Sequence, residues 1–573
     1  MIPSIEPTKQ SGYQFDRRRR GAKCVAGSIA NDWLKCLAKF VYVFALAACG
    51  GGSSAPPDTN ASAAPPGPAP ITQAEAFQFL NQATFGATVD SAQALISLRH
   101  DSWIDLEMTK PISLQLPVLQ SLPQSDETFR VDIWYQNALN GTDQLRQRVA
   151  FALSEILVVS QNGALIDAPY ALADYYDLLV RNAFGNYRDL LQEVTLHPAM
   201  GVYLSMLGNE KPNPALNIQP DENYARELMQ LFSIGLIELN RDGTPILDDQ
   251  SQPVPTYSQE IIEGFAHVFT GWNYAGASSF EQAARTDQNQ TMPMQLYPSF
   301  HDTGEKLLLN GVMLPAGQTG EQDLSDALDN VFNHQNVGPF LASRLIQRLV
   351  TSNPSPNYVD RVASVFNDNG AGERGDLGSV IRAILMDDEA RPAIPMDLDG
   401  KAKEPILRLT QLWRAYNAES RSGRYPMYFA YSDFGQGPLQ SLTVFNFFSP
   451  FYAPPGEIRD NNLVAPELEI ATEYLNTTVT NFMLFQAFNR NSEITNAGEN
   501  HVLIDISEEI AVARDIDDLI DLVSNKLLGG VISDALRLEI AGMLSMIPEE
   551  LAVSRTAETI FFVVTSPEYA YQH

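Results

Sequence analysis

The sequence predicts a mainly α fold: a large multi-helical domain with long irregular loops and at most a small β-hairpin. Three observations lead there. Apolar residues recur at helical spacing through most of the chain, helix-start signals stand before several of these runs, and strand signals are few. Hydrophobic residues make up 45% and charged residues 19% of the 573, a balance that suits a folded chain rather than a disordered one.

In chain order, the first helix should open at Thr72-Gln73-Ala74-Glu75, a capping box, with Ala76, Phe77 and Leu80 turned inward. Leu145, Val149, Leu153, Ile156 and Leu157 form the next stripe, with Thr142 as its expected cap. Further helices are predicted near 167–183, 186–197, 222–234, 258–270, 323–334, 337–351, 356–367, 376–387 and 402–417, then 466–490, 514–528, 532–546 and 556–567. Asp242-Gly243, between Leu236–Leu239 and Pro245–Leu247, predicts one small hairpin. Two long irregular stretches, Gly208–Pro220 and Ser420–Pro455, interrupt the helices, and loops of that length in a folded domain are often functional.

Ahead of this region the composition changes. Lys35 and Lys39 precede the apolar run Phe40–Cys49, which is too short to stay in a bilayer as a helix and ends in small residues, as a signal peptide does. Leu46-Ala47-Ala48-Cys49 resembles a bacterial lipobox, so Cys49 is the expected lipid-attachment site. Gly50–Ser54 and the Pro/Ala-rich run after it read as a tether. The expected organisation is a signal segment over 1–49, a flexible tether over 50–71, and one large helical domain of one or two lobes over 72–573. Gly rather than Asp at position 50 implies sorting to the outer membrane, placing the protein in the cell envelope, facing the periplasm or the exterior.

The formal net charge is −31; residues beyond 49 carry 30 basic against 66 acidic side chains, near −36. Such a surface repels nucleic-acid backbones and anionic membrane surfaces, so nucleic acid is not an expected partner and membrane contact should come through the anchor alone. The cysteines are Cys24, Cys36 and Cys49. The region after them therefore has no disulfide, no thiolate ligand and no cysteine nucleophile.

Several residues are candidates for chemistry. On the helix expected at 222–234, Glu222, Asn223, Arg226, Glu227, Gln230 and Ser233 fall within roughly 140° of one another, opposite Tyr224, Leu228, Leu231 and Phe232. Glu222 and Arg226 can pair at i,i+4. That polar face is either solvated or the lining of a cleft whose carboxylates serve as acid, base or ligand. Of the seven histidines, His197 precedes Pro198 at a helix end and is a potential metal ligand. His267 stands four residues after Glu263, without the second histidine of a zinc-protease helix, and His301 lies in the polar loop His301–Lys306. A Gly-rich phosphate loop, a dinucleotide fingerprint and a nucleophile elbow are all missing from the sequence. Asn367–Gly370 and Asp397–Gly400 do not meet the spacing of a calcium loop and read as helix connectors. The aromatic run Val444–Pro455 could either wall a sugar or apolar ligand or pack its loop onto the core.

The segments FLNQATFGAT (79–88), LRQRVAFALSEILVVS (145–160), HPAMGVYL (197–204), ENYARELMQLFSIGL (222–236), FTGW (269–272), HDTGEK (301–306), LIQRLVTSNPSP (345–356), GDLGSVIRAIL (375–385), VFNFFSPFY (444–452) and SPEYAYQ (566–572) resemble, in order, those of the bacterial family filed as domain of unknown function 1800. Many members of that family carry histidine where this chain has Phe232, so a ligand there is not expected. The resemblance implies an exported, largely helical protein, often encoded beside a sulfatase-like family, domain of unknown function 1501. It implies no reaction and no cofactor. Three functions follow as expectations. The first is an envelope lipoprotein acting with a sulfatase-like partner. The second is a metal-dependent extracytoplasmic enzyme using a Glu/His cluster, with Glu222, Arg226, Glu227 and His301 as its catalytic groups. The third is a structural or scaffolding lipoprotein.

Overall fold

Thr72 and Glu75 close the predicted capping box: the Thr72 Oγ1 accepts from the Glu75 amide (3.2 Å) and the Glu75 carboxylate accepts from the Thr72 amide (2.7 Å). The helix they open, Gln73–Ala83, buries Ala76, Phe77 and Leu80 as its spacing required. The computed structural model describes residues 70–123, 126–392 and 400–572. The signal segment, Cys49 and nearly all of the tether fall outside those residues, as does most of the Asp397–Gly400 turn.

Among the described residues there are 24 α-helices, and the only named sheets are three antiparallel pairs of two-residue strands. The protein is mainly α, as expected. The sheets join Trp272–Asn273 to Gln295–Leu296, Lys306–Leu307 to Met313–Leu314, and Lys401–Ala402 to Tyr571–Gln572. The hairpin around Asp242-Gly243 also forms, with the Ile246 amide donating to the Glu238 carbonyl at 2.8 Å. A third segment adds to it, the Val254 amide donating to Ile246 at 3.0 Å. Pro245, Pro253 and Pro255 sit at its bridges. Because they bring no N–H, the three segments meet as isolated bridges and not as a ladder.

Several elements differ from expectation. The helix predicted over 466–490 is a single turn at Pro466–Glu469 followed by a helix over Glu473–Asn489, and Val89–Leu98, His100–Thr109 and Glu127–Asn140 are helices that were not predicted. The helix after Thr142 starts one residue later, at Gln144, with Asp143 at the N-cap position. Asp143 does not cap it: its carboxylate is taken by the Ser113 amide (3.0 Å) and the Gln147 side chain (3.1 Å). The helix predicted over 222–234 is α only over Asn223–Glu227 and becomes a π-helix over Leu228–Ser233. Both the Ile234 and Gly235 amides reach the Met229 carbonyl (2.9 Å each), and the Ser233 hydroxyl donates to Leu228 O at 2.5 Å. Gly235, at φ 74°, ends the element in a left-handed conformation that would strain any other residue.

One apolar core joins residues from Ile71 to Tyr569. It draws the first helix onto the C-terminal helices, where Gln73 Nε2 bonds to Asn525 (3.4 Å) and Phe77 lies against Gly529. The helix Val337–Leu349 packs on Pro356–Asn367, and Glu473–Asn489 packs on Ala552–Thr565. None of the described helices is long and apolar enough to cross a membrane.

Candidate functional site

The predicted polar helix face divides. Glu222 and Arg226 pair as expected, with Arg226 Nη2 2.8 Å from Glu222 Oε2, but the side chains are 33% and 39% exposed. Gln259 Nε2 also donates to both Glu222 oxygens, at 3.0 Å. Glu227 turns inward and is buried, and Oε2 has no hydrogen-bond partner. Burial holds its carboxyl above the usual carboxylate range, opposed by Arg226. Of this face only Gln230 lines the arginine-bearing cavity described below.

The histidines go elsewhere. His301 is buried, with Nδ1 3.0 Å from the Thr270 carbonyl and Nε2 3.1 Å from Asp323 Oδ2; Lys306 Nζ lies 2.6 Å from the same oxygen. His197 is buried against Tyr175, accepts from the Ala199 amide at 3.1 Å, and sits 3.3 Å from Asp174. Both anchor elements to their neighbours. His267 pairs with Asp302. Glu222, Glu227, His197 and His301 are not assembled as one ligand set. Among the described residues no group of three His, Cys, Asp or Glu side chains is placed to hold a metal ion.

What the fold builds instead is a cavity of about 670 Å³ between four elements. Helix Val337–Leu349 supplies Phe340, Ser343, Arg344, Gln347 and Arg348, one stripe at i, i+3, i+4, i+7 and i+8. The π-segment supplies Gln230 and Leu231, the three-segment hairpin supplies Leu239 and Gly243, and the aromatic loop supplies Val444, Phe445, Asn446, Pro450 and Phe451. The aromatic run thus divides between the core and the cavity. Phe448 is buried, whereas Phe445 and Phe451 are 58% and 69% exposed at the cavity.

Two arginines enter this apolar space. Arg344 lies over the rings of Phe340 (5.2 Å) and Phe451 (4.5 Å) and donates to Gln347 Oε1 at 2.9 Å. Desolvation, with Arg348 beside it, lowers its pKa to about 10. Arg348 lies over Phe448 (4.5 Å) with Nη1 3.7 Å from Glu155 Oε1. Glu155 is the cavity's floor carboxyl. Burial, helped by the adjacent carboxyl of Glu404, raises its pKa to about 8 against the pull of Arg348. Glu404 is the ionised member of that pair. Burial opposes its charge, but Lys401, Arg148 and Arg348 hold it well below the usual range, and Gln436 Nε2 donates to it at 2.6 Å. Lys401 Nζ also meets Glu467 at 2.9 Å, and both Arg148 and Lys401 donate to the Arg348 carbonyl, at 2.6 and 3.0 Å. Two carboxyls so close cannot both ionise cheaply, and the environment pushes their affinities for a proton apart.

Sequence reasoning did not single out Arg344, Arg348, Glu155 or Glu404, although signals were present. Arg344 and Arg348 continue the helical stripe of Phe340 where apolar residues would be expected, and Glu155 is a lone carboxyl inside the apolar run Val149–Val159. A second cavity, of about 830 Å³, lies where the first helix meets Leu527–Ser533. It is lined by Lys403, which burial and Arg408 lower to about 7 and whose Nζ donates to Gln411 at 2.7 Å.

Fold and site together define a mainly helical scaffold around an arginine- and aromatic-lined cavity with a buried carboxyl pair beneath it. Residues 78–571 match the family described as protein of unknown function (DUF1800), and the chain belongs to that family. No curated protein and no solved structure matches it.

Proposed function

We propose that this is a lipid-anchored protein of the bacterial cell envelope that binds a small ligand with an apolar or ring-shaped body and works beside a sulfatase-like partner. One observation supports the binding role above a purely scaffolding one. The cavity has the volume of a small-molecule site, and two exposed rings, Phe445 and Phe451, stand together on its lining beside Arg344. The anchor rests on Leu46–Cys49 and the tether after it, and the partner on the kinship with DUF1800 proteins.

Two measurements test this. N-Phenyl-1-naphthylamine, a neutral two-ring probe, should brighten on the full chain with saturable, one-site binding, and Phe451→Ser should weaken it several-fold. Absence of saturable binding would defeat the ligand reading. Separately, wild type should take up labelled fatty acid and fractionate with membranes, whereas Cys49→Ala should not. A chain that stays on the membrane in the absence of Cys49 would overturn the anchor.

A further inference from the structure

We infer that the ligand of this cavity is an organic anion: one carboxylate, phosphate, sulfate or sulfonate group on an apolar or ring body, with Arg344 as the residue that receives the charge. This rests on the cavity reading above and adds the chemical class of the ligand.

The argument starts from the charges that line the space. Its carboxyls are Asp242 and Glu155, and each is already engaged. Asp242 folds back on its own turn, accepting from the Thr244 amide (2.9 Å) and hydroxyl (2.6 Å). Glu155 faces Arg348. Arg344 is left. It makes no ion pair among the described residues; its one side-chain acceptor is the neutral Gln347. Arg344 is half-buried and desolvated; holding a guanidinium there without a counter-charge is costly, and the faces of Phe340 and Phe451 return only part of that cost. The cluster below does not supply the missing anion. Arg148, Arg348 and Lys401 there face Glu155, Glu404 and Glu467, a balanced set when every carboxyl is ionised and one positive charge in excess when Glu155 holds a proton.

The rest of the geometry fits the same ligand class. A guanidinium presents planar, paired donors that match two oxygens of a carboxylate, sulfate or phosphate. Arg344 lies between two rings, so a ligand whose charge meets it has its apolar body beside Phe451 and Leu231. The outer surface is strongly acidic, formal charge near −36 beyond residue 49, so an anion gains nothing from it and is retained only where a local cation is desolvated. An apolar pocket that served a neutral ligand would have no use for an unpaired arginine on its wall.

The test compares two probes of nearly the same shape. 8-Anilinonaphthalene-1-sulfonate carries the charge and N-phenyl-1-naphthylamine does not. On the full chain, Arg344→Gln should weaken the sulfonate at least tenfold and change the neutral probe by less than twofold. Arg344→Lys, which keeps the charge but loses the paired donors, should fall between. Bound sulfonate should be displaced by 1-naphthyl sulfate, 1-naphthyl phosphate or 1-naphthoate, whichever the site takes, and not by 1-naphthol. Equal losses for both probes in Arg344→Gln, unchanged sulfonate binding, or displacement by 1-naphthol as effective as by the anions would each overturn the inference while leaving the cavity reading intact. If the neutral probe itself fails to bind wild type, the cavity reading is what has failed. Should Arg344→Gln not fold, wild type and Arg344→Lys still decide through the displacement series.

Discussion

At the scale of single residues, the buried carboxyl pair has the most direct consequences. Glu155 keeps its proton in the folded chain up to about 8 and loses it in the ordinary carboxylate range once unfolded. Its contribution to stability is therefore full at acid pH and is lost as pH rises through about 8. Glu155→Gln, a neutral mimic of the protonated side chain, should flatten the fall in denaturation midpoint between about pH 5 and 8. Glu404→Gln acts oppositely, because it removes the ionised member and strands Lys401, Arg148 and Arg348; a loss of about 3–5 kcal/mol in chemical denaturation is expected. The Glu222–Arg226 pair is a contrast. Both side chains are at least a third exposed, so Arg226→Ala should change stability by about 0.5 kcal/mol or less. A larger loss would mean that the pair is desolvated in solution. The sequence placed Glu222 and Arg226 together because i,i+4 spacing is local. It could not place Glu155 beside Glu404, about 250 residues away, since nothing in either neighbourhood specifies the other.

At the scale of elements, legibility followed amphipathicity. The helices Pro169–Asn182, Val337–Leu349 and Leu377–Met386 were readable from one apolar stripe each. Glu127–Asn140 was not, because its buried residues run unbroken from Arg130 to Tyr135 and include Arg130 and Asp132, so no face stands out. The π-segment Leu228–Ser233 was invisible for another reason: one extra residue in a turn leaves the apolar pattern nearly helical while re-aiming Gln230 and Leu231 toward the cavity. Elements are also pinned by buried ion pairs. Asp323, on helix Gly320–Phe332, receives both His301 and Lys306. Asp323→Asn should cost about 3–5 kcal/mol by leaving Lys306 buried without a counter-charge. The drop should be visible in thermal unfolding, and Lys306→Met in the same background should recover part of it. If the double variant is no more stable than Asp323→Asn, the pair is not what holds this loop.

For the whole molecule, stability has to come without crosslinks. With no cysteine beyond Cys49, the melting curve of the folded region should be the same with and without reductant, and a shift of several degrees would contradict this. A continuous core from Ile71 to Tyr569 is large enough to make crosslinks unnecessary. The same continuity explains why the fold class was legible and the cavity was not. A mainly helical core is written in local periodicity, but the cavity is assembled from residues near 155, 230, 344 and 446, and its shape is a property of their meeting.

The bond from Gln73 to Asn525 spans 452 residues. At roughly 5–20 residues per second of synthesis, the first helix waits roughly 20–90 s before its C-terminal partners exist. During that interval Phe77 lacks its C-terminal neighbour Gly529, while the helix already has Val89–Leu98 to pack on. Late closure of the core thus sets the timing of folding as well as its outcome: the molecule cannot seal its first helix onto the C-terminal helices until nearly all of it has been made.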